Sequence, residues 1–104
     1  MSQHDSDTIE KTETKVEDEV KEPPMYKVLL HNDNFTTKEF VVQILMSVFH
    51  KSAEEAAQLM WQVHSKGRGV CGVYPFEVAE TKVTTVTHIA REHGYPLKTT
   101  LEEE

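Results

Sequence analysis

The chain has 104 residues, 38% hydrophobic and 28% charged, with 18 Asp+Glu against 11 Lys+Arg and a single cysteine. That length suits one small domain and not two. One Cys forms no intramolecular disulfide, no apolar run approaches the roughly 18 residues of a membrane span, and the polar N-terminus does not read as a signal peptide. A soluble, cytoplasmic protein with no membrane partner is therefore expected.

The formal charge of −7 argues against a nucleic-acid partner, which calls for clustered Lys and Arg. The charge is unevenly placed. Met1 to Pro24 carries eight acids and three lysines, and Glu102, Glu103 and Glu104 end the chain, which leaves eight bases and seven acids between Met25 and Leu101. Residues 1–24 offer only Met1, Ile9, Val16 and Val20 as scattered apolar side chains. They bury too little to offset backbone ordering at roughly 1–2 kcal/mol per residue. The segment reads as a disordered acidic arm, closed by Pro23-Pro24, ahead of a folded domain over 25–104.

In chain order, Tyr26, Val28 and Leu30 alternate on one face of a strand that Asn32-Asp33-Asn34 stops. Thr36 and Glu39 have capping-box spacing, and Phe40/Val41, Ile44/Leu45 and Val48/Phe49 recur at helical period, which predicts a first helix to about His50. Ser52 and Glu55 repeat the capping spacing. Ala56, Leu59/Met60 and Val63 then continue a second helix that ends before Gly67, with only Lys51 and Ser52 between the two helices. Gly69 to Tyr74 reads as a second strand, stopped by Pro75. The β-branched run from Val78 to Thr87 favours a strand by propensity, but Ala79, Val83, Val86 and Ala90 share one helical face and Gly94 follows as a cap. Leu97 to Leu101 supplies a short edge strand. The order β-α-α-β-α-β predicts an α+β domain, a small sheet covered on one face by helices.

Signals for catalysis are sparse. Cys71, between Val70 and Gly72 in an apolar strand, reads as a core residue rather than a nucleophile. The sequence has no phosphate-binding glycine loop and no serine elbow, and His88 and His93 lack metal-ligand spacing. Two clusters stand out. Asn32-Asp33-Asn34 is either a loop satisfied by its own backbone or a polar site. In Met60-Trp61-Gln62-Val63-His64, Met60 and His64 share a helical face, and His64 is either a half-buried surface residue or a ligand-binding one.

Taken together these stretches resemble the ClpS family, small adaptors that hand proteins with destabilising N-terminal residues to a Clp-type AAA+ unfoldase and its protease. The match runs from Pro23 to Leu101. It is carried by Pro23-Pro24-Met25-Tyr26-Lys27-Val28, Asn32-Asp33, Glu39-Phe40-Val41, Gln58-Leu59-Met60, Val63-His64, Cys71-Gly72-Val73, Glu77-Val78-Ala79-Glu80-Thr81-Lys82-Val83 and Pro96-Leu97. The resemblance implies a three-stranded antiparallel sheet with three helices, a monomeric adaptor with no cofactor, and no enzymatic activity. It implies that Asn32, Asp33 and His64 hold the free α-amine of the target. It also implies that Thr36, Val41, Met60, Val63 and Leu97 wall an apolar pocket for an N-terminal Leu, Phe, Tyr or Trp side chain. Glu77 and Lys82 correspond to the surface that faces the unfoldase, and the arm to an extension engaged during hand-over.

The chemistry required is consistent with those residue types. A protonated α-amine brings three donors and a charge, for which an amide oxygen, a carboxylate and the ring nitrogen of a neutral His are suitable acceptors. Burying a Leu or Phe side chain adds roughly 1.5–3 kcal/mol. The sequence departs from the family pattern at Asn34, where many members have a second acid, and at Lys38, which takes a pocket-rim position that is commonly Met. Lysine can lay its methylenes along the rim with its ammonium in water. A regulator that docks on the unfoldase without carrying cargo is the alternative reading.

Overall fold

Alternate apolar residues make β1 (Met25–His31) a strand, and its place at the centre of the sheet follows from having the most buried side chains. The computed structural model, which describes residues 23–104, orders the sheet β2-β1-β3. Both β2 (Arg68–Pro75) and β3 (Lys98–Glu103) run antiparallel to β1. The helices are α1 (Lys38–Ser47), α2 (Ala53–Lys66) and α3 (Phe76–Glu92). The expected element order and sheet are therefore present. The expected arm lies, apart from Pro23 and Pro24, outside the described residues.

Val28 and Leu30 enter one core with Phe40, Ile44, Leu45, Val63, Cys71, Ala79, Val86 and Leu97, while Leu29 between them lies outside that cluster. A bulge between Val28 and Leu29 skips Cys71 in the pairing with β2, so the inward residues of β2 shift phase along the strand. The buried Cys71 thiol is pushed up to about 12 by burial, which removes it as a nucleophile near neutral pH.

Two helix ends differ from the sequence expectation. The N-cap of α1 is Thr37, whose hydroxyl accepts from Phe40 N–H at 3.1 Å, and not Thr36. Thr36 is one residue too early because its hydroxyl is already given to Asp33. The far end of α1 comes at Ser47 rather than His50: the chain turns through His50 at φ 56 while Val48 and Phe49 remain core residues. Apolar spacing continued past the helix because burial, not helicity, is what it records. The connection to α2 is accordingly longer than Lys51-Ser52.

The α2 capping box is as expected, with Ser52 Oγ accepting from Glu55 N–H at 3.1 Å and Glu55 Oε1 accepting from Ser52 N–H at 3.0 Å. Gly67 ends the helix in the left-handed region at φ 91, where a side chain would be strained. Gly69 then allows α2 to sit close to the sheet, since a Cβ there would meet Val63 Cγ2 at 2.9 Å. The β-branched stretch of α3 is helical, with Ala79, Val86 and Ala90 buried and Val83 partly so. Tertiary burial of that face outweighs strand propensity.

His31 ends β1 and joins β3 through a 2.7 Å hydrogen bond between its Nε2 and Thr100 Oγ1. Burial, then the charges of Lys98 and Arg68, hold its pKa below the ordinary histidine value. The unfolded chain therefore takes up this proton first on acidification. The stability contributed by the neutral ring is whole above the unfolded value and is lost as pH falls through the lowered native one. We expect the urea midpoint to drop between about pH 8 and about pH 5, and to drop less in a His31→Gln variant. An equal fall in both proteins would show that His31 is not responsible.

Candidate functional site

The segment 32–37 between β1 and α1 is held at two points. Asn32 N–H donates to Gly67 O at 2.8 Å, which ties the loop to the end of α2. Asp33 folds the rest: Oδ1 accepts from the Phe35 and Thr36 N–H groups at 2.8 and 2.7 Å, and Oδ2 accepts from the Thr36 hydroxyl at 2.7 Å. Burial alone would raise the Asp33 pKa, but these hydrogen bonds, led by the Thr36 hydroxyl, and the charge of Arg91 outweigh it and leave the pKa lowered. The carboxylate is thus a fixed negative group at neutral pH, with its oxygens engaged in the loop.

This loop, the first turn of α1 and the end of α2 enclose a cavity of about 500 Å³. Its polar side is formed by Asn32, Asp33, Asn34 and His64, its apolar side by Val41, Met60 and Val63, and its rim by Phe35, Thr36, Thr37, Lys38 and Glu39. Val41, Met60 and Val63 are buried, whereas Asn32 and His64 are exposed. Neither the Asn32 amide nor the His64 ring has a side-chain hydrogen bond among the described residues, so both offer free acceptors. The cavity therefore joins an acceptor-rich mouth to an apolar floor of side-chain dimensions. Among the described residues no group of three or more metal-ligating side chains converges.

The sequence-predicted residues Asn32, Asp33, Thr36, Lys38, Val41, Met60, Val63 and His64 are thereby brought together. Leu97, expected as a wall, does not line the cavity: it is 1% exposed within the core, and its carbonyl accepts from Arg91 Nη1 at 3.1 Å. Pro96-Leu97 leads into β3 with the side chain turned under the sheet's helices, a placement that periodicity does not reveal. Two aromatic residues were not anticipated. Phe35 stands 76% exposed at the loop tip, because the Asp33 turn faces it outward. Trp61 is 54% exposed on α2, with its ring edge-on to His64 at 5.7 Å and the Lys38 ammonium 5.5 Å from its centroid. The Trp61–His64 spacing of three on a helix was the available signal.

Glu77 and Lys82 lie elsewhere. They border a second concavity, of about 640 Å³, with Ser47, Val48, His50, Val78, Thr81, Thr85 and Ile89. Lys82 Nζ donates to Val48 O at 2.7 Å and stands 5.6 Å from the Tyr74 ring centroid. It satisfies a carbonyl that the end of α1 leaves unpaired, so it has a structural task regardless of any partner.

Residues 21–100 match the family model for the ATP-dependent Clp protease adaptor protein ClpS. Among curated relatives, the ATP-dependent Clp protease adapter protein ClpS of Desulforapulum autotrophicum is 55% identical over 104 residues, covering 100% of both chains. That of Nitratidesulfovibrio vulgaris (strain Miyazaki F) is 60% identical over 92 residues, 88% of this chain and 92% of that protein. Agrobacterium tumefaciens ClpS2, solved bound to L-phenylalaninamide, is 38% identical with a TM-score of 0.78, covering 80% of this chain and 100% of that one. The fold and these likenesses agree, and the chain belongs to the ClpS family of Clp protease adaptors, which are not enzymes.

Proposed function

We propose that the cavity receives the N-terminus of a polypeptide beginning with Leu, Phe, Tyr or Trp, and that the protein delivers it to a Clp-type AAA+ unfoldase. The observation that carries this reading is the meeting of Asn32, Asp33 and His64 with Val41, Met60 and Val63 in one cavity. The free acceptors of Asn32 and His64 suit an α-ammonium group, and the Asp33 charge favours it without surrendering the loop's hydrogen bonds. The apolar floor takes the side chain. L-phenylalaninamide, bound by the Agrobacterium relative, has both features, a free α-amine beside a benzyl group.

An acetylated or internal residue presents one uncharged donor and leaves these acceptors under-used. Fluorescence anisotropy should therefore show binding of a Phe-initiated peptide and loss of binding on N-acetylation. His64→Ala should weaken the free-amine peptide by about ten-fold or more, as expected for a hydrogen bond to a charged group. Equal affinity for the acetylated peptide would overturn the amine site. No binding of any free-amine peptide would favour a regulator that docks without cargo.

The concavity bordered by Glu77 is our proposed unfoldase-facing surface, and residues 1–22 the segment engaged during hand-over. Glu77 is the better probe of the two charged residues, because changing Lys82 also frees the Val48 carbonyl. Glu77→Lys, or deletion of residues 1–22, should leave peptide affinity unchanged and stop degradation of a Phe-initiated reporter by the unfoldase and its protease. Full-rate degradation by either variant would remove the corresponding element from the delivery step.

A further inference from the structure

Lys38 opens α1, where the exposed N–H groups make a cation unfavourable. Among the described residues it has no carboxylate within ion-pair distance. Its ammonium is instead placed over the Trp61 indole, 5.5 Å from the centroid. Trp61 is more than half exposed and does not line the cavity, so neither core packing nor direct walling accounts for this large aromatic side chain. Its other neighbour is the His64 ring, 5.7 Å away at 76°. One indole therefore touches the rim lysine and the amine-facing histidine from outside the cavity.

We propose that Trp61 is a positioning residue for the recognition site: it holds the Lys38 ammonium outward, so that the lysine's methylenes and not its charge border the cavity mouth. The inference rests on the reading of the cavity as an α-amine site. A loose ammonium at the rim opposes an incoming cationic terminus, and two unit charges about 6 Å apart in water change affinity by about three-fold. Anchoring it on an aromatic face outside the cavity lessens that opposition and leaves an aliphatic wall for the bound side chain. The ligand is the one proposed for the cavity, a polypeptide N-terminus with a free ammonium and a large apolar first residue, bound despite a cation at the rim.

The test is a double-mutant cycle read by anisotropy with a Phe-initiated peptide. Trp61→Ala should weaken binding by about two- to five-fold at low ionic strength, and less as salt is raised. In a Lys38→Met background, where no charge remains to be held, the same change should have almost no effect. Trp61→Phe should retain most of the affinity. Trp61 is also the chain's one tryptophan, so its emission in the unliganded protein should change on Lys38→Met. Equal losses from Trp61→Ala in both backgrounds, or unchanged emission, would overturn the role given to Trp61 while leaving the amine site standing. Failure of the unaltered protein to bind any free-amine peptide would overturn the amine site, and this proposal with it.

Discussion

The Asp33 carboxylate accepts from the Phe35 and Thr36 amides and the Thr36 hydroxyl, and the polar wall of the cavity depends on that arrangement. A short connection between a strand and a helix has backbone donors with no regular partner. Here one anionic side chain takes them, and charge-assisted bonds of this kind are about twice as strong as neutral ones. The turn frees Thr37 to cap α1, faces Phe35 outward, and leaves Asn32 beside the end of α2. The loop is thus satisfied through Asp33, and the Asn32 side-chain amide is left without a hydrogen bond among the described residues.

Gly69 supplies the matching constraint on the other wall. Because it lacks a Cβ, Val63 and Leu59 press onto β2, and this close approach fixes α2. Met60 and Val63 then face inward while His64, one residue on from Val63, reaches the mouth. The backbone bond from Asn32 to Gly67 closes the two walls on each other. One turn of α2 thus supplies Met60 and Val63 to the apolar floor and His64 to the mouth, while Val41 of α1 and the 32–34 loop supply the rest.

The helix α1 connects the two surfaces. Its first residue is the rim lysine, and its last turn is held by Lys82 at the edge of the second concavity. Ten residues of helix span about 15 Å. The two concavities therefore lie toward opposite ends of one helix and share no lining residue.

Much of this was legible in the residues themselves. Alternation at Tyr26, Val28 and Leu30 specified the central strand, Ser52 and Glu55 the start of α2, and the Ala79-Val83-Val86-Ala90 stripe the helical state of a β-branched segment, because these patterns record local hydrogen bonding and burial periodicity. The Asn32-Asp33-Asn34 and Met60–His64 clusters stood out by residue type and family likeness joined them to a pocket; the first cavity gathers those candidates except for Leu97, while Glu77 and Lys82 border the second concavity. What sequence did not decide rests mostly on contacts between elements. The exception is the cap of α1: the spacing from Thr36 to Glu39 fits a capping box, but the Asp33 carboxylate three residues back takes the Thr36 hydroxyl within the loop. Leu97 fits a wall as well as a core position until its neighbours are placed. Trp61 has a readable i+3 spacing to His64, but its link to Lys38 is invisible until α1 is packed beside α2. Local pattern determines what each segment is and which near neighbours share a turn; the packing of distant segments determines which side chains meet across elements.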